Sequence, residues 1–364
     1  MDTDVSYDDD WRMLVGLLPP GIEEIAVQTR AIVRRREVRS ATDLVRLALV
    51  YAQDDASLRG ASAWAREAGV GILSDQAVLK RLRGSVGLLR TLCALSLPGR
   101  ERARSSWRLV LVDSTTVCRR RSAGTDFRVH VNYDAFEGVI SGVALTRSDG
   151  GERLDLLPCG VGDVLVADQG YPSRKGLAEV RARGAHFLVR FHAANLPLQD
   201  ESGCRVDPLE LCRDLRVGEI LDIPLWTVPV KGVAPIPGRL VALRKTDQQA
   251  RDHMERRRKR EGKPPTEQAE RAARYVTVFT SLGSEEADSA AVLEAYRLRW
   301  QVEMAFKRAK GVVSLGETAA RDMELCEAKI LAKLLLLLLI QAFEAAFFPW
   351  GYPLPRFQPV AAAG

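Results

Sequence analysis

Cysteine is sparse and unpaired. Six thiols (Cys93, Cys118, Cys159, Cys204, Cys212 and Cys326) are scattered over 364 residues with no Cys-x-x-Cys pair, and the four histidines are equally dispersed. Neither a zinc cage nor a disulfide framework can be built from that spacing, and reduced thiols fit a cytoplasmic protein. The first ten residues carry five aspartates and no apolar stretch, which excludes a secretory signal there. No hydrophobic run is uninterrupted: Lys333, Gln341 and Glu344 break the one over residues 330–348, which reads as a buried core helix rather than a membrane span. Internal repeats are absent. Charge of one sign is not strongly in excess either, with 53 basic against 47 acidic side chains and a net charge of +6. The pI of about 9.1 hints at a polyanionic partner without requiring one. What is present is ordinary globular composition, 46% hydrophobic and 27% charged, in a chain long enough for two or three domains.

Residues 11–104 read as helical throughout. Arg30, Arg34, Arg35, Arg36 and Arg39 crowd into one stretch. An amphipathic segment over 57–69 leads through Gly69-Val70-Gly71 to Ser74, a good N-cap, and then to a basic helix carrying Lys80, Arg81 and Arg83. That is the outline of a helix-turn-helix, and equally of a plain helical hairpin with a solvated basic face. From Trp107 the pattern turns to strands. Leu109-Val110-Leu111-Val112 is a buried-strand run ending in Asp113, and Val164-Leu165-Val166-Ala167 is a second ending in Asp168. Period-two stretches at 127–133 and 139–145, a helix at 173–183 and a strand at 187–191 complete a mixed sheet flanked by helices. Residues 195–274 form a β-rich insertion with prolines, closing on a very basic run (Arg256, Arg257, Arg258, Lys259, Arg260) expected to be a mobile or ligand-ordered loop. Trp226 in the insertion suits either base stacking or, better, a core strand.

One helix near the end, over residues 296–310, organises the chain. At roughly 100° per residue, Tyr296, Arg299, Glu303 and Lys310 share one face, while Leu298, Val302, Ala305 and Ala309 take the other. An amphipathic surface helix with an Arg299–Glu303 pair would look the same. The difference lies upstream, where Asp113 and Asp168 stand at the carboxyl ends of strands, the place where open α/β sheets bind ligands. Carboxylates on two strands and a helix suit a pair of Mg²⁺ ions, which want hard oxygen ligands and act together in phosphodiester chemistry.

The ordered set Asp113, Asp168, Glu303 resembles the DDE triad of RNase H-like transposases. Tyr296-x2-Arg299-x3-Glu303-x6-Lys310 is similar to the tyrosine–arginine–glutamate–lysine signature of the insertion-sequence-four family. Leu111-Val112-Asp113-Ser114-Thr115, Ala167-Asp168-x-Gly170-Tyr171 and the Ser74–Arg83 stretch add to the likeness, which runs from about residue 40 to 345. The resemblance implies a fold: an RNase H-like mixed sheet flanked by helices over 105–350, the β-rich subdomain inserted at 195–274, an all-helical DNA-end-binding domain at 1–104, and a tail at 351–364. It implies an activity: Mg²⁺-dependent cut-and-paste DNA transposition by hydrolysis and strand transfer through a hairpin, with two ions (Mn²⁺ able to substitute) on Asp113, Asp168 and Glu303. The partners implied are double-stranded DNA, both inverted repeats and target, and a second copy in a synaptic homodimer. The location implied is bacterial cytoplasm at the nucleoid, with no membrane contact.

Tyr296, Arg299, Lys307 and Lys310 would contact DNA beside the cut. Arg119, Arg120 and Arg121, in a loop expected to flank the active site, would contact its backbone. Arg256, Arg257 and Arg258 would do so in a salt-dependent way, and Lys80, Arg81 and Arg83 would bind the end. His130 is expected to be structural, and His186 and His192 have no assigned role. Two departures from the family pattern stand out. Gln169 replaces the arginine many relatives have after the second acid, and only 61 residues follow Glu303, little room for a separate dimerisation domain. Two other readings stay open: a non-catalytic DNA-binding relative with vestigial acids, and a nuclease of the same fold.

Overall fold

The computed structural model describes residues 7–53, 56–98, 107–193, 195–262, 264–320 and 322–347. The boundary expected at 104/105 and the tail at 351–364 lie outside them. Among the described residues the chain opens with six helices: α1 (Tyr7–Leu17), α2 (Ile22–Gln28), α3 (Ala41–Ala52), α4 (Leu58–Glu67), α5 (Asp75–Gly84) and α6 (Val86–Leu95). Side-chain caps start three of them. Ser40, Ser57 and Ser74 accept from the N–H groups of Asp43, Gly60 and Ala77, which satisfies donors the helix itself leaves open. The α4–turn–α5 pair has the expected hairpin outline. The arginine-rich residues 29–39 do not continue the helix: they form an irregular loop between α2 and α3, with Arg30 at φ +57°.

Strands follow: β1 (Arg108–Arg119), β2 (Phe127–Asp134), β3 (Val139–Arg147), a 3₁₀ turn at Leu154–Leu156, β4 (Asp163–Ala167), helix α7 (Arg174–Ala182) and β5 (His186–Arg190). Beyond them come β6 (Leu198–Gln199), β7 (Arg205–Val206), α8 (Pro208–Leu211), β8 (Ile220–Thr227), β9 (Pro237–Arg244), α9 (Asp247–Glu261), α10 (Glu267–Ala273) and β10 (Tyr275–Thr280). The described residues end with α11 (Ser289–Arg297), α12 (Trp300–Val313), β11 (Glu317–Thr318) and α13 (Met323–Phe347).

Ten strands lie in the order β3-β2-β1-β4-β5-β10-β9-β8-β6-β7, and β11 pairs with the far end of β1. The first three are antiparallel, β1, β4 and β5 are parallel, and β10 returns antiparallel to β5. The strands of the insertion therefore extend the central sheet instead of forming a sheet of their own. The basic run is not a loop. It lies in α9, whose start is fixed by a capping box between Thr246 and Gln249 and whose end is fixed by Gly262 at φ +64°. Arginine, lysine and glutamate are good helix formers, so caps at both ends suffice.

Alternation along the strands splits the core between the two faces of the sheet. Leu109, Leu111, Val166, Leu188, Val241 and Val278 face the side carrying α11, α12 and α13, in one cluster with the N-terminal helices. Val110, Val112, Leu165, Ala167, Phe187 and Val189 face α7. α13 packs against α3, α5 and α6 as well as α12 and β3, and no described helix is long and apolar enough to cross a membrane. Its buried lysines are satisfied. Lys329 donates to Gln53 O (3.0 Å) and lies over the Tyr51 ring, and Lys333 donates to Ser314 O (2.6 Å) at the end of α12.

Candidate active site

The parallel ladder between β1 and β4 ends at Val112 opposite Ala167. The next residues are Asp113 and Asp168, so the register sets the acids side by side, both on the face that carries α11 and α12. β4 stops there. β1 does not, contrary to the sequence expectation: it runs on to Arg119, paired with β2 (Asp113 opposite Val131). The edge vacated by β4 leaves a gap beside Asp113, whose side chain is 21% exposed.

The third acid arrives on a broken helix. The single helix expected over 296–310 is two, α11 and α12, meeting at Leu298 and Arg299. Both junction residues keep right-handed dihedrals, but the N–H groups of Arg299, Gln301 and Val302 bond to carbonyls three residues back (3.1, 2.9 and 3.2 Å). This tightening interrupts the α-helix without glycine or proline. It leaves Tyr296 buried at 8% and places Glu303 in the exposed first turn of α12.

The junction meets the acids directly. The Tyr296 hydroxyl donates to Asp168 Oδ1 at 3.2 Å. Arg299 stands between the other two acids, with Nη1 4.0 Å from Asp113 Oδ2 and Nη2 donating to Glu303 Oε1. Burial raises Asp113 from 3.8 to about 6. The Ser114 N–H (2.8 Å to Oδ1) and Arg299 oppose the shift, while Glu303 and Glu152 add to it. Burial also works against the charge of Arg299, but Tyr296, Asp168 and Glu303 outweigh it and hold the guanidinium above its ordinary pKa. Tyr296 is raised by burial and by Asp168.

Among the described residues no three His, Cys, Asp or Glu side chains stand together as a ready metal cage, because Arg299 separates Asp113 from Glu303. The chemistry of the set nevertheless suits a divalent cation. It offers hard oxygens, one carboxylate is desolvated and weakly compensated, and an internal cation already stands at the point where their fields meet.

The remaining sequence candidates are dispersed. Lys307 and Lys310 are exposed on α12. Arg119, Arg120 and Arg121 do not flank Asp113: they sit at the carboxyl end of β1 and in the turn after it, about 20 Å further along the strand. There Arg119 pairs with Asp126 (2.7 Å) and all three line a shallow pocket with Ser122. Lys80 is exposed, Arg81 donates to Arg34 O (3.1 Å), and Arg83 grips Asp322 with two bonds (3.0 and 2.6 Å).

Arg256 and Arg258 are exposed on α9 and Arg257 is half-buried. Arg256 contributes to a cationic group with Arg190, Arg244, Lys245 and His253. Burial and these neighbours push Lys245 down to about 8, and His253 below its usual value. Trp226 is half-exposed on β8, not a core residue. His130 is structural: it is fully buried against Thr146 Oγ1 (2.9 Å), and burial pushes it down to about 4.

Sequence reasoning missed Glu152, Arg128 and Arg190. Arg190 carries no motif and comes beside Tyr296 through the packing of α11 on β5. Glu152 lies in the loop after β3, where its Oε1 accepts from Arg128 Nη1 (2.8 Å).

Residues 105–339 match the family model described as the transposase DDE domain. The chain is 33% identical over 344 residues to the putative transposase InsL for insertion sequence element IS186A of Escherichia coli (strain K12), covering 91% of this chain and 93% of that protein. It is likewise 33% identical over 345 residues to the transposase for insertion sequence element IS421 of Escherichia coli, with the same coverage.

Proposed function

Since the chain belongs to the DDE transposase family, and is thus the catalytic enzyme of an insertion sequence element, we propose that it moves that element by cut-and-paste transposition with Asp113, Asp168 and Glu303 as its reactive acids. The supporting observation is convergence. Residues from β1, the end of β4, α11 and α12 meet at one end of the parallel strands, with Arg299 against two acids and Tyr296 bonded to the third. The tyrosine–arginine–glutamate–lysine spacing supports membership of the insertion-sequence-four family, and the order of β1 to β5 supports reading these strands as an RNase H-like core.

Asp113, Asp168 and Glu303 would hold two Mg²⁺ or Mn²⁺ ions, which, when bound, activate the attacking oxygen and stabilise the leaving one. The protein's own part is positional. Register fixes Asp113 beside Asp168, the α11–α12 junction brings Glu303 to them, and Tyr296 orients Asp168. Arg299, Lys307 and Lys310 present cations on the same side to the phosphates flanking the cut. Arg256, Arg257 and Arg258, together with Arg190 and Lys245, extend this charge along α9. Lys80, Arg81 and Arg83 on the α4–α5 hairpin, with Arg119 to Arg121 at the strand tip, bind DNA away from the cut. The ends pass through a hairpin and join target DNA within a synaptic homodimer.

The test is a labelled duplex carrying the flanking inverted repeat, incubated with protein and Mg²⁺ or Mn²⁺ and resolved on a denaturing gel. Nicks or hairpins at the repeat boundary, absent with Glu303→Gln, are expected. A retarded complex with no cleavage under either metal would instead mark a DNA-binding relative, and cleavage without joining a nuclease.

A further inference from the structure

Asp113 and Asp168 face α11 and α12, but the residues that follow them are gripped from the opposite face of the sheet. Ser114 points away from Asp113 across the pleat. Its hydroxyl accepts from Arg128 Nη1 (3.0 Å) and donates to Glu152 Oε1 (3.4 Å). Its N–H is the group that donates to the Asp113 carboxylate (2.8 Å). Arg128 reaches both partners from β2, where it lies opposite Thr116, two residues along the ladder from Ser114. It forms a 2.8 Å ion pair with Glu152, whose side chain is 32% exposed.

The other oxygen of Glu152 rests on the turn after the second acid. A Cβ at Gly170 would stand 1.9 Å from Glu152 Oε2. Gly170 has no left-handed φ to explain it, so what its bare Cα provides here is room for this carboxylate. A single side chain thus bears on the residue after Asp113 and on the residue two past Asp168.

We propose that Glu152, held by Arg128, is a positioning residue that sets the spacing of Asp113 and Asp168 by bracing Ser114 and Gly170 from behind the sheet. This rests on the reading of those acids as metal ligands. Partners that orient ligands in this way typically contribute about ten- to a hundredfold to metal affinity. Glu152 touches no ligand carboxylate, so it acts through the backbone of Ser114 and the Asp168–Tyr171 turn.

The geometry supplies its own control. Gly170→Ala adds one methyl group and displaces only the flexible end of Glu152, so it should act through Glu152 alone. Mn²⁺ binding to the purified full chain, followed by the loss of the free-ion electron paramagnetic resonance signal, is the readout. Glu152→Ala and Gly170→Ala are each expected to weaken binding about tenfold, and the double variant no further than Glu152→Ala alone. Glu152→Gln, which keeps the shape and the acceptor for Arg128, should recover most of the loss. Retardation of an inverted-repeat duplex should stay within about twofold of the parent, since no phosphate contact is removed.

Losses that multiply in the double variant overturn the proposal, as does parent-like Mn²⁺ binding in Gly170→Ala. If Glu152→Ala does not fold, Gly170→Ala decides alone. Asp168→Asn separates the two levels. If it binds Mn²⁺ as the parent does, the metal reading has failed. If it loses Mn²⁺ while Gly170→Ala keeps it, only the role of Glu152 has failed.

Discussion

The two ends of the β1–β4 strand pair carry similar side chains in opposite electrical states. At one end Arg108 lies opposite Asp163, both side chains 8% exposed, joined by two bonds of 2.7 and 2.9 Å, with the Gly160 N–H donating to Asp163 as well (2.9 Å). At the other end, five residues along each strand, stand Asp113 and Asp168. There Arg299 stays 4.0 Å from Asp113, and burial lifts that carboxyl to about 6. The closed end spends its charges on each other. The open end keeps the Asp113 carboxyl desolvated and incompletely paired, which suits an incoming cation. An arginine beside an aspartate is therefore no sign of function; completeness of pairing is.

Substitution should sharpen that contrast. Asp113→Asn, Asp168→Asn or Glu303→Gln is expected to lower cleavage of an end duplex by about 10³-fold or more, with folding and end binding retained, measured by single-turnover assay and gel retardation. At the closed end Arg108→Ala leaves Asp163 buried without its cation and should cost about 3–5 kcal/mol in urea unfolding. An apolar pair, Arg108→Met with Asp163→Leu, should recover most of it. Loss of stability from Asp168→Asn comparable to that from Arg108→Ala would erase the distinction. Between these stands Arg299→Ala. It removes a cation whose partners reach water, Glu303 being 54% exposed, so its unfolding free energy should change by about 1 kcal/mol or less while cleavage is lost.

Much of the open end was legible in the sequence, because buried parallel strands write themselves as apolar runs and the acids interrupt those runs. The likeness of the signature also placed Tyr296, Arg299 and Glu303 together. What failed to show were features decided by tertiary partners. β1 continues past Asp113 because β2 pairs with Ser114 to Val117, although Ser-Thr-Thr reads as a turn, and this carries Arg119 to Arg121 away from the site. The break at Leu298–Arg299 has no glycine or proline to announce it. α9 hid behind its charge, since a helix with no apolar face has no period to detect. Glu152 is one glutamate in a glycine-containing loop, and its only trace in the sequence is the missing side chain at Gly170.

The smallest expected effect concerns the metal-free protein. The groups facing the Asp113 carboxyl are the Ser114 N–H and Arg299, which favour its charge, and Glu303 and Glu152, which oppose it; burial, reinforced by the two glutamates, outweighs the first pair. Its folded pKa is therefore raised, from 3.8 to about 6, so the folded state holds a proton the unfolded state has lost. Stability must fall as pH rises from about 4 to about 6 and stay lower above that. Asn at this position has no proton to lose. Asp113→Asn should match the parent near pH 4 and exceed it above pH 6 by on the order of 1–2 kcal/mol, read as thermal midpoints in chelator. Excess Mg²⁺ or Mn²⁺ should then reverse the order, because binding stabilises only a chain that keeps the carboxylate. A variant no more stable than the parent above pH 6 would mean that Arg299 already compensates Asp113, and the two ends of the strand pair would then be electrically alike.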